Sequence, residues 1–361
     1  MEKVKPVVVF SCSSLSFGGA ERQIANLANG LVSLEKYKVH LVIYYRRKQE
    51  YPVDSRIMIH SLYETENDNQ VANKITKIKL MQVLLKKLNP QFVFSVLQNV
   101  SLIISLAKKQ LPFKHIHLVA TNPRCESKLM NMIILRRCDH IILQCEEQKE
   151  FYSKQVLKKA SVIPNPITPL INYRKKDVSI IKNIVMMGRI VRPKNYYFAI
   201  DLLKLIPNQE VNLTIYGDSK TEQPKLEQYI RAKGLESRVS FKGFSLNAAE
   251  ILASYDLFLM TSLYEGLPNA LMEAMSAALP IVITPFKTGG KDLLGQHERG
   301  NILSTFNLEI ASKELNDIMS KVTLLNEQRI KARSFINKHF TSEIIAIRYD
   351  ELITFLKGSK Q

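Results

Sequence analysis

Cysteine is sparse in this sequence: Cys12, Cys125, Cys138 and Cys145 are the only four in 361 residues, and none stands in a C-x-x-C pair. That argues against a zinc site or a dithiol redox motif and leaves buried, reduced thiols as the reading. Long apolar runs are missing too. A membrane span needs ~20 consecutive apolar residues, whereas Phe92–Leu97, Leu102–Ala107 and Met132–Leu135 have only the length of buried strands or helix faces. With 13 Gly, 14 Pro and 46% hydrophobic residues, the chain is neither fibrous nor disordered. It carries no low-complexity tract and no zinc-finger, RNP or basic-zipper pattern, so nucleic acid is not an expected partner. Acidic residues are in clear deficit, 33 Asp and Glu against 51 Lys and Arg, for a net charge of +18. The excess is uneven: residues 1–170 carry 25 Lys/Arg against 13 Asp/Glu, and residues 171–361 carry 26 against 20. Such a balance favours anionic partners, phosphates and acidic lipid among them. The stretch Val7–Phe10 is too short for a signal-peptide core and reads as a first strand, which sets the expected location as the cytoplasm.

What is present is a repeated strand–helix pattern. The length suits two domains of about 150–200 residues. Short β-branched runs predict strands at Val7–Cys12, Val39–Tyr44, Phe92–Val96, Ile116–Ala120 and His140–Gln144. Helices are predicted between them, near Gly19–Leu34, Val71–Leu88, Val100–Lys109 and Glu126–Arg137. The pattern then restarts with strands at Ile184–Gly188, Val211–Tyr216, Val239–Phe241, Leu257–Met260 and Pro280–Ile283. Between the halves, Val162–Pro169 holds three prolines and Tyr173–Asp177 is charged; together they read as a linker. The expectation is an α/β protein of two Rossmann-like domains facing each other across a central cleft.

Four segments carry chemistry. Tyr264–Met275 sets Glu265 and Glu273 eight residues apart, with Pro268 expected at the first helical position. Glu265 would then precede a helix and Glu273 would lie in its second turn, with an anion seat at the helix N-terminus between them. Ser16-Phe17-Gly18-Gly19-Ala20-Glu21-Arg22 follows the first strand and opens a helix, so its paired glycines allow close approach to an anion. Gly188-Arg189-Ile190-Val191-Arg192-Pro193-Lys194 follows the first strand of the second half, where Arg189 and Lys194 could neutralise a diphosphate. Thr288-Gly289-Gly290-Lys291-Asp292 leaves the same sheet edge as the Glu265 segment. Two carboxylates flanking a phosphate seat suit a sugar nucleotide.

In order along the chain, GGAER, VIPNP, GR-x4-K, IYGD, RVSFKGF, EGLPNALMEAM and TGGKDLL resemble the retaining glycosyltransferase family 4 with its GT-B fold. The likeness spans nearly the whole chain and is strongest over residues 184–295. It implies that Glu265 contacts the donor sugar, Glu273 holds the ribose, and Arg189 and Lys194 bind the diphosphate, with Gly18 and Gly19 covering it. The flanking Gly266, Leu267, Pro268 and Asn269, together with Gly217, Gly289 and Gly290, complete the implied donor site. The uracil would lie by Phe241–Phe244, at Lys242, Gly243 and Phe244. The donor implied is a UDP-sugar, with no cofactor and no metal required. The resemblance also divides the chain. Residues 1–165 would bind the acceptor, 166–180 would link, 181–341 would bind the donor, and a tail helix at 342–361 would return to the first domain.

Two departures and one basic helix remain. Where family members place a His after the Ile116–Ala120 strand, this chain has Asn122, which can bond a sugar hydroxyl but cannot act as a base. His115 and His117, just upstream, read as structural. Gly217-Asp218 is followed by Ser219-Lys220 rather than a further glycine. The segment Lys74–Lys87 sets Lys74, Lys77, Lys79, Lys86 and Lys87 beside Ile75, Ile78, Met81, Leu85 and Leu88. It reads either as the solvated face of a core helix or as a helix resting on anionic membrane. On the second reading the enzyme is peripheral on the inner face of the cytoplasmic membrane. The leading expectation is a transferase moving a hexose or N-acetylhexosamine to a lipid-linked or growing bacterial surface glycan. The alternatives are a GT-B nucleotide-sugar epimerase or hydrolase, and a basic polyanion- or membrane-binding module with a degenerate donor site.

Overall fold

The computed structural model describes residues 5–16, 18–109, 111–120, 126–168, 170, 173–174, 176–245 and 248–358, with backbone alone at 248–250. The chain divides into two compact units, residues 1–168 with 340–361, and residues 169–339.

The first unit is built on seven strands: β1 (Val7–Cys12), β2 (Lys38–Ile43), β3 (Met58–Ser61), β4 (Phe92–Val96), β5 (Lys114–Leu118), β6 (His140–Leu143) and β7 (Ala160–Val162). Their order is β3-β2-β1-β4-β5-β6-β7, and every pair is parallel. Strand order reverses between β1 and β4, the switch point of this sheet. Both faces are covered, which is why the central strands read as unbroken apolar runs. On one face the helices Gly19–Ser33 and Ser342–Gly358 share a core with Phe10 and Phe94. On the other, Lys74–Leu88 and Gln98–Ala107 pack on Val9, Val42 and Val93. The chain's final helix is therefore part of the first unit. Tyr349 lies 5.4 Å from Phe94, ring centre to ring centre, and a Cβ on Gly30 would come within 2.6 Å of Ser342 O.

Strand β5 begins two residues before the expected Ile116–Ala120, because its polar residues are satisfied inside the layer. Ser95 Oγ lies 2.7 Å from His115 Nε2 and 2.8 Å from Ser101 Oγ, and Ser101 Oγ lies 2.7 Å from His117 Nδ1. Both histidines are buried, as their structural reading implied. The expected helix at Val71–Leu88 is two: Glu66–Val71, then Lys74–Leu88 capped by Asn73, whose Oδ1 accepts from Thr76 N at 2.9 Å.

The second unit has six strands: β8 (Asn183–Met187), β9 (Asn212–Tyr216), β10 (Val239–Gly243), β11 (Leu257–Met260), β12 (Ile281–Ile283) and β13 (Asn301–Ile302). They run β10-β9-β8-β11-β12-β13, again all parallel. The switch point lies between β8 and β11. Part of the stretch read as a linker is clamped to this unit. Arg174 Nη1 donates to Tyr255 O at 2.6 Å and its Nη2 lies 3.1 Å from Asp256. The buried Arg329 reaches Asp177 at 2.6 Å, and Arg333 stacks 3.8 Å over the Tyr173 ring. The chain is thus two doubly wound parallel α/β units.

Candidate active site

The segments singled out in the second half all leave the carboxyl edge of one sheet. β8 runs into Gly188–Asn195, β9 into Gly217, β11 into Thr261–Pro268 and β12 into Thr284–Gly290, while β10 ends at Lys242-Gly243. β8 and β11 are the neighbours at the switch point of this sheet, the place where ligands of doubly wound sheets bind. Glycine lets the neighbouring loops touch backbone to backbone: a Cβ on Gly217, at φ +154°, would fall 1.9 Å from Gly188 O. Gly217 N donates to Gly243 O and Gly188 N to Tyr216 O, each at 2.9 Å.

The loops after β8 and β11 meet through charge. Lys194 Nζ lies 2.6 Å from Glu265 Oε1, with both side chains largely shielded. Ser262 Oγ donates to the same oxygen at 2.5 Å. Thr261 Oγ1 donates to the carbonyls of Lys194 and Asn195, each at 3.0 Å, and Leu263 N donates to Pro193 O at 2.8 Å. From β12, Thr284 Oγ1 donates to Ser262 O at 2.7 Å, and the Thr288 hydroxyl donates to Glu265 O. Tyr196 OH donates to Gly188 O at 2.8 Å. Burial, and secondarily the charge of Glu265, raises the Tyr196 pKa, so this phenol stays a neutral donor.

The third segment closes on the same motif. Gly289, at φ +79°, is so close to Gly266, Leu267 and Pro268 that a Cβ would stand 3.0 Å from Gly266 O. The helix is Asn269–Ser276, so Pro268 is its N-cap rather than its first residue. With φ −78° and ψ 101° it sits in extended backbone, and its carbonyl accepts from both Leu271 N and Met272 N. Glu265 precedes this helix and Glu273 is buried in its second turn. Arg189 is exposed, and its side chain makes no hydrogen bond or ion pair among the described residues. Lys242 and Phe244 are exposed at the end of β10.

In the first unit, Gly18 is the N-cap of helix Gly19–Ser33 just after β1, extended and without a side-chain cap. Asn122 lies outside the described residues. The sequence reading missed the hydroxyls of Thr261, Ser262, Thr284 and Thr288, all fully or almost fully buried. Their one visible signal is Ser or Thr at the exits of two apolar strands.

Residues 178–335 match the family model described as glycosyl transferases group 1. A glycosyltransferase of Haemophilus influenzae, itself uncharacterized, is 24% identical over 95% of this chain and 98% of its own length. An alpha-1,4-N-acetyl-D-galactosaminyltransferase of Campylobacter jejuni, named for a GalNAc-bearing diNAcBac-PP-undecaprenol, is 24% identical over 93% of this chain and 96% of its own. Among solved structures, Anabaena HepE in complex with UDP and glucose superposes with a TM-score of 0.79 at 16% identity, covering 97% of this chain and 99% of HepE. With two doubly wound parallel units and this set of relatives, the chain is a glycosyltransferase of the GT-B fold.

Proposed function

We propose that the protein transfers a hexose or N-acetylhexosamine, with retention of anomeric configuration, from a UDP-sugar to a lipid-linked or growing surface glycan. The observation that carries this reading is the Lys194–Glu265 pair at the β8/β11 switch point, with the Arg189 side chain, unpaired among the described residues, on the loop after β8. On this reading Glu265 meets the sugar, Glu273 the ribose, and Arg189 and Lys194 the diphosphate. The uracil lies against the end of β10, at Lys242, Gly243 and Phe244. The glycosidic C1–O bond to the diphosphate breaks as the acceptor oxygen bonds C1 on the same face. The acceptor proton passes to a diphosphate oxygen, while Arg189 and Lys194 carry the leaving group's growing charge without a metal. UDP complexes of structural relatives and the undecaprenol-linked acceptor named for the Campylobacter relative support this choice of partners.

The direct test is UDP release on mixing a UDP-sugar with a lipid-linked glycan acceptor. Glu265→Ala is expected to slow it by about 10²-fold or more while the circular dichroism spectrum persists. Transfer at the wild-type rate would refute the assignment.

A lipid-linked acceptor implies work at a membrane surface, although no helix among the described residues is long and apolar enough to cross one. The helices Lys74–Leu88 and Lys128–Arg137 flank Gln98–Ala107 in one layer and together hold eight Lys and Arg and no acid. Met81 and Leu85 are in the core, but Ile75 is 65% exposed, Val83 68%, Leu129 63% and Met132 42%. Exposed apolar side chains among cations suit an anionic lipid surface. The full chain should co-sediment with phosphatidylglycerol vesicles and not with neutral ones. Val83→Ser with Leu129→Ser should weaken this about tenfold or more; equal sedimentation with both vesicle types would refute it.

A further inference from the structure

Glu265 has two carboxylate oxygens, and the structure treats them differently. Both of its side-chain partners, Lys194 Nζ at 2.6 Å and Ser262 Oγ at 2.5 Å, bond Oε1. Oε2 has no hydrogen bond among the described residues. We propose that Ser262 is a positioning residue: with Lys194 it anchors Oε1 of Glu265 and so presents Oε2 as the oxygen that meets the donor sugar. The inference deepens the donor-site reading above and rests on it.

A carboxylate held by one partner can still turn about its terminal bond. Two donors converging on one oxygen from different loops stop that rotation. Ser262 is itself fixed. It is fully buried at the exit of β11, and its carbonyl accepts from Thr284 Oγ1 at 2.7 Å. The backbone of Glu265 is held separately by the Thr288 hydroxyl. Every hydroxyl of this belt is spent on fixing the carboxylate or the loop that carries it. An ionised carboxylate is an acceptor only, so its free oxygen is fitted to hydroxyl donors, the groups a sugar ring offers. Lys194 uses one of its three ammonium protons on Glu265. The remaining two face no other hydrogen-bond partner among the described residues. One lysine can thereby touch the sugar-holding carboxylate and the diphosphate, placing the bond to be broken beside its Nζ. Ser262 donates to a carboxylate, as a serine nucleophile would, but its complete burial keeps it from a substrate carbon.

The test uses the full chain and calorimetric titration with UDP, UDP-glucose, UDP-galactose and their two N-acetylhexosamine counterparts. Wild type is expected to rank the four sugars, and Ser262→Ala to bind UDP within twofold of wild type. The variant's discrimination between the best sugar and its C4 epimer should fall about tenfold or more, the worth of a lost bond to a charged group. Ser262→Thr, which keeps the hydroxyl, should recover most of it. Equal losses for UDP and for the sugars would make Ser262 merely structural and overturn the proposal. So would unchanged discrimination. If wild type binds neither UDP nor any of the sugars, the donor-site reading fails, a result distinct from any of these.

Discussion

In the first sheet buried histidines and serines bond one another within the layers, whereas in the second the charged and hydroxyl groups around the Lys194–Glu265 pair gather at the carboxyl edge. Strands β2, β3, β5 and β6 carry His40, His60, His115, His117 and His140, and four of these are buried. They bond one another or neighbouring serines: His40 Nδ1 lies 2.9 Å from His60 Nε2, and His140 Nε2 lies 2.9 Å from Ser161 Oγ. The strands of the second unit hold no histidine. A charged and hydroxyl network stands instead after β8, β11 and β12, around Lys194 and Glu265. At the opposite edge of that sheet, Asp256 accepts from Lys182 N at 3.0 Å and Asn183 N at 2.8 Å and pairs with Arg174, which stabilises the fold and leaves nothing to offer a ligand. A polar group inside the layers bears on stability; on the proposed reading, one at the carboxyl edge of the switch point bears on binding.

Acid should separate the two units most strongly. Burial lowers the pKa of His117 to about 4. Burial, then the neighbouring His60 and Lys38, does the same for His40, and burial with Lys159 does so for His140. His115 is also pushed down, by burial first. The unfolded chain takes up these protons near pH 6.5, before the folded one does. The stability they confer is therefore complete above about pH 6.5 and is lost as pH falls towards 4. His117 alone accounts for on the order of 3 kcal/mol across that window. Hydrogen exchange followed from pH 7 to 4 should show β4–β6 losing protection before β8–β12. Simultaneous loss in both sheets would break the contrast.

The same contrast explains what could be read in advance. The strands β1, β4, β6, β8, β9, β11 and β12 announced themselves as apolar runs because helices cover both their faces. The three unanticipated strands, β3, β7 and β13, are all at sheet edges. Met58–Ser61 and Ala160–Val162 are only partly buried and carry no such run. Strand β5 starts two residues before the expected Ile116 because His115 and His117 interrupt the apolar run, and only the contacts with Ser95 and Ser101 show them inside the layer. At the site, charge and glycine were legible: Glu265, Lys194 and Gly289 do come together. Most of the hydroxyl belt was not, because Thr261, Thr284 and Thr288 act through partners distant in sequence. Pro268 was off by one position, since an N-cap and a first helical residue accept proline for similar reasons.

The smallest effect should come from a single hydroxyl. Tyr349 is fully buried in the first unit between Phe94, at 5.4 Å, and Phe10, at 6.5 Å, and its OH has no hydrogen-bond partner among the described residues. Burial raises its pKa, so the group is a neutral phenol whose hydration was lost without replacement. Removing such a group removes its desolvation cost while the ring keeps its contacts. Tyr349→Phe is therefore expected to stabilise the first unit by about 1 kcal/mol, read as a raised denaturation midpoint with an unchanged slope. The corresponding loss in the second unit has the opposite sign. Thr288→Val deletes a hydroxyl that is bonded to Glu265 O and leaves that carbonyl without its donor, so it should destabilise by about the same amount. If both substitutions moved the midpoint in one direction, the polar groups of the two units would be alike in kind, and depth within the layers would carry no information about function.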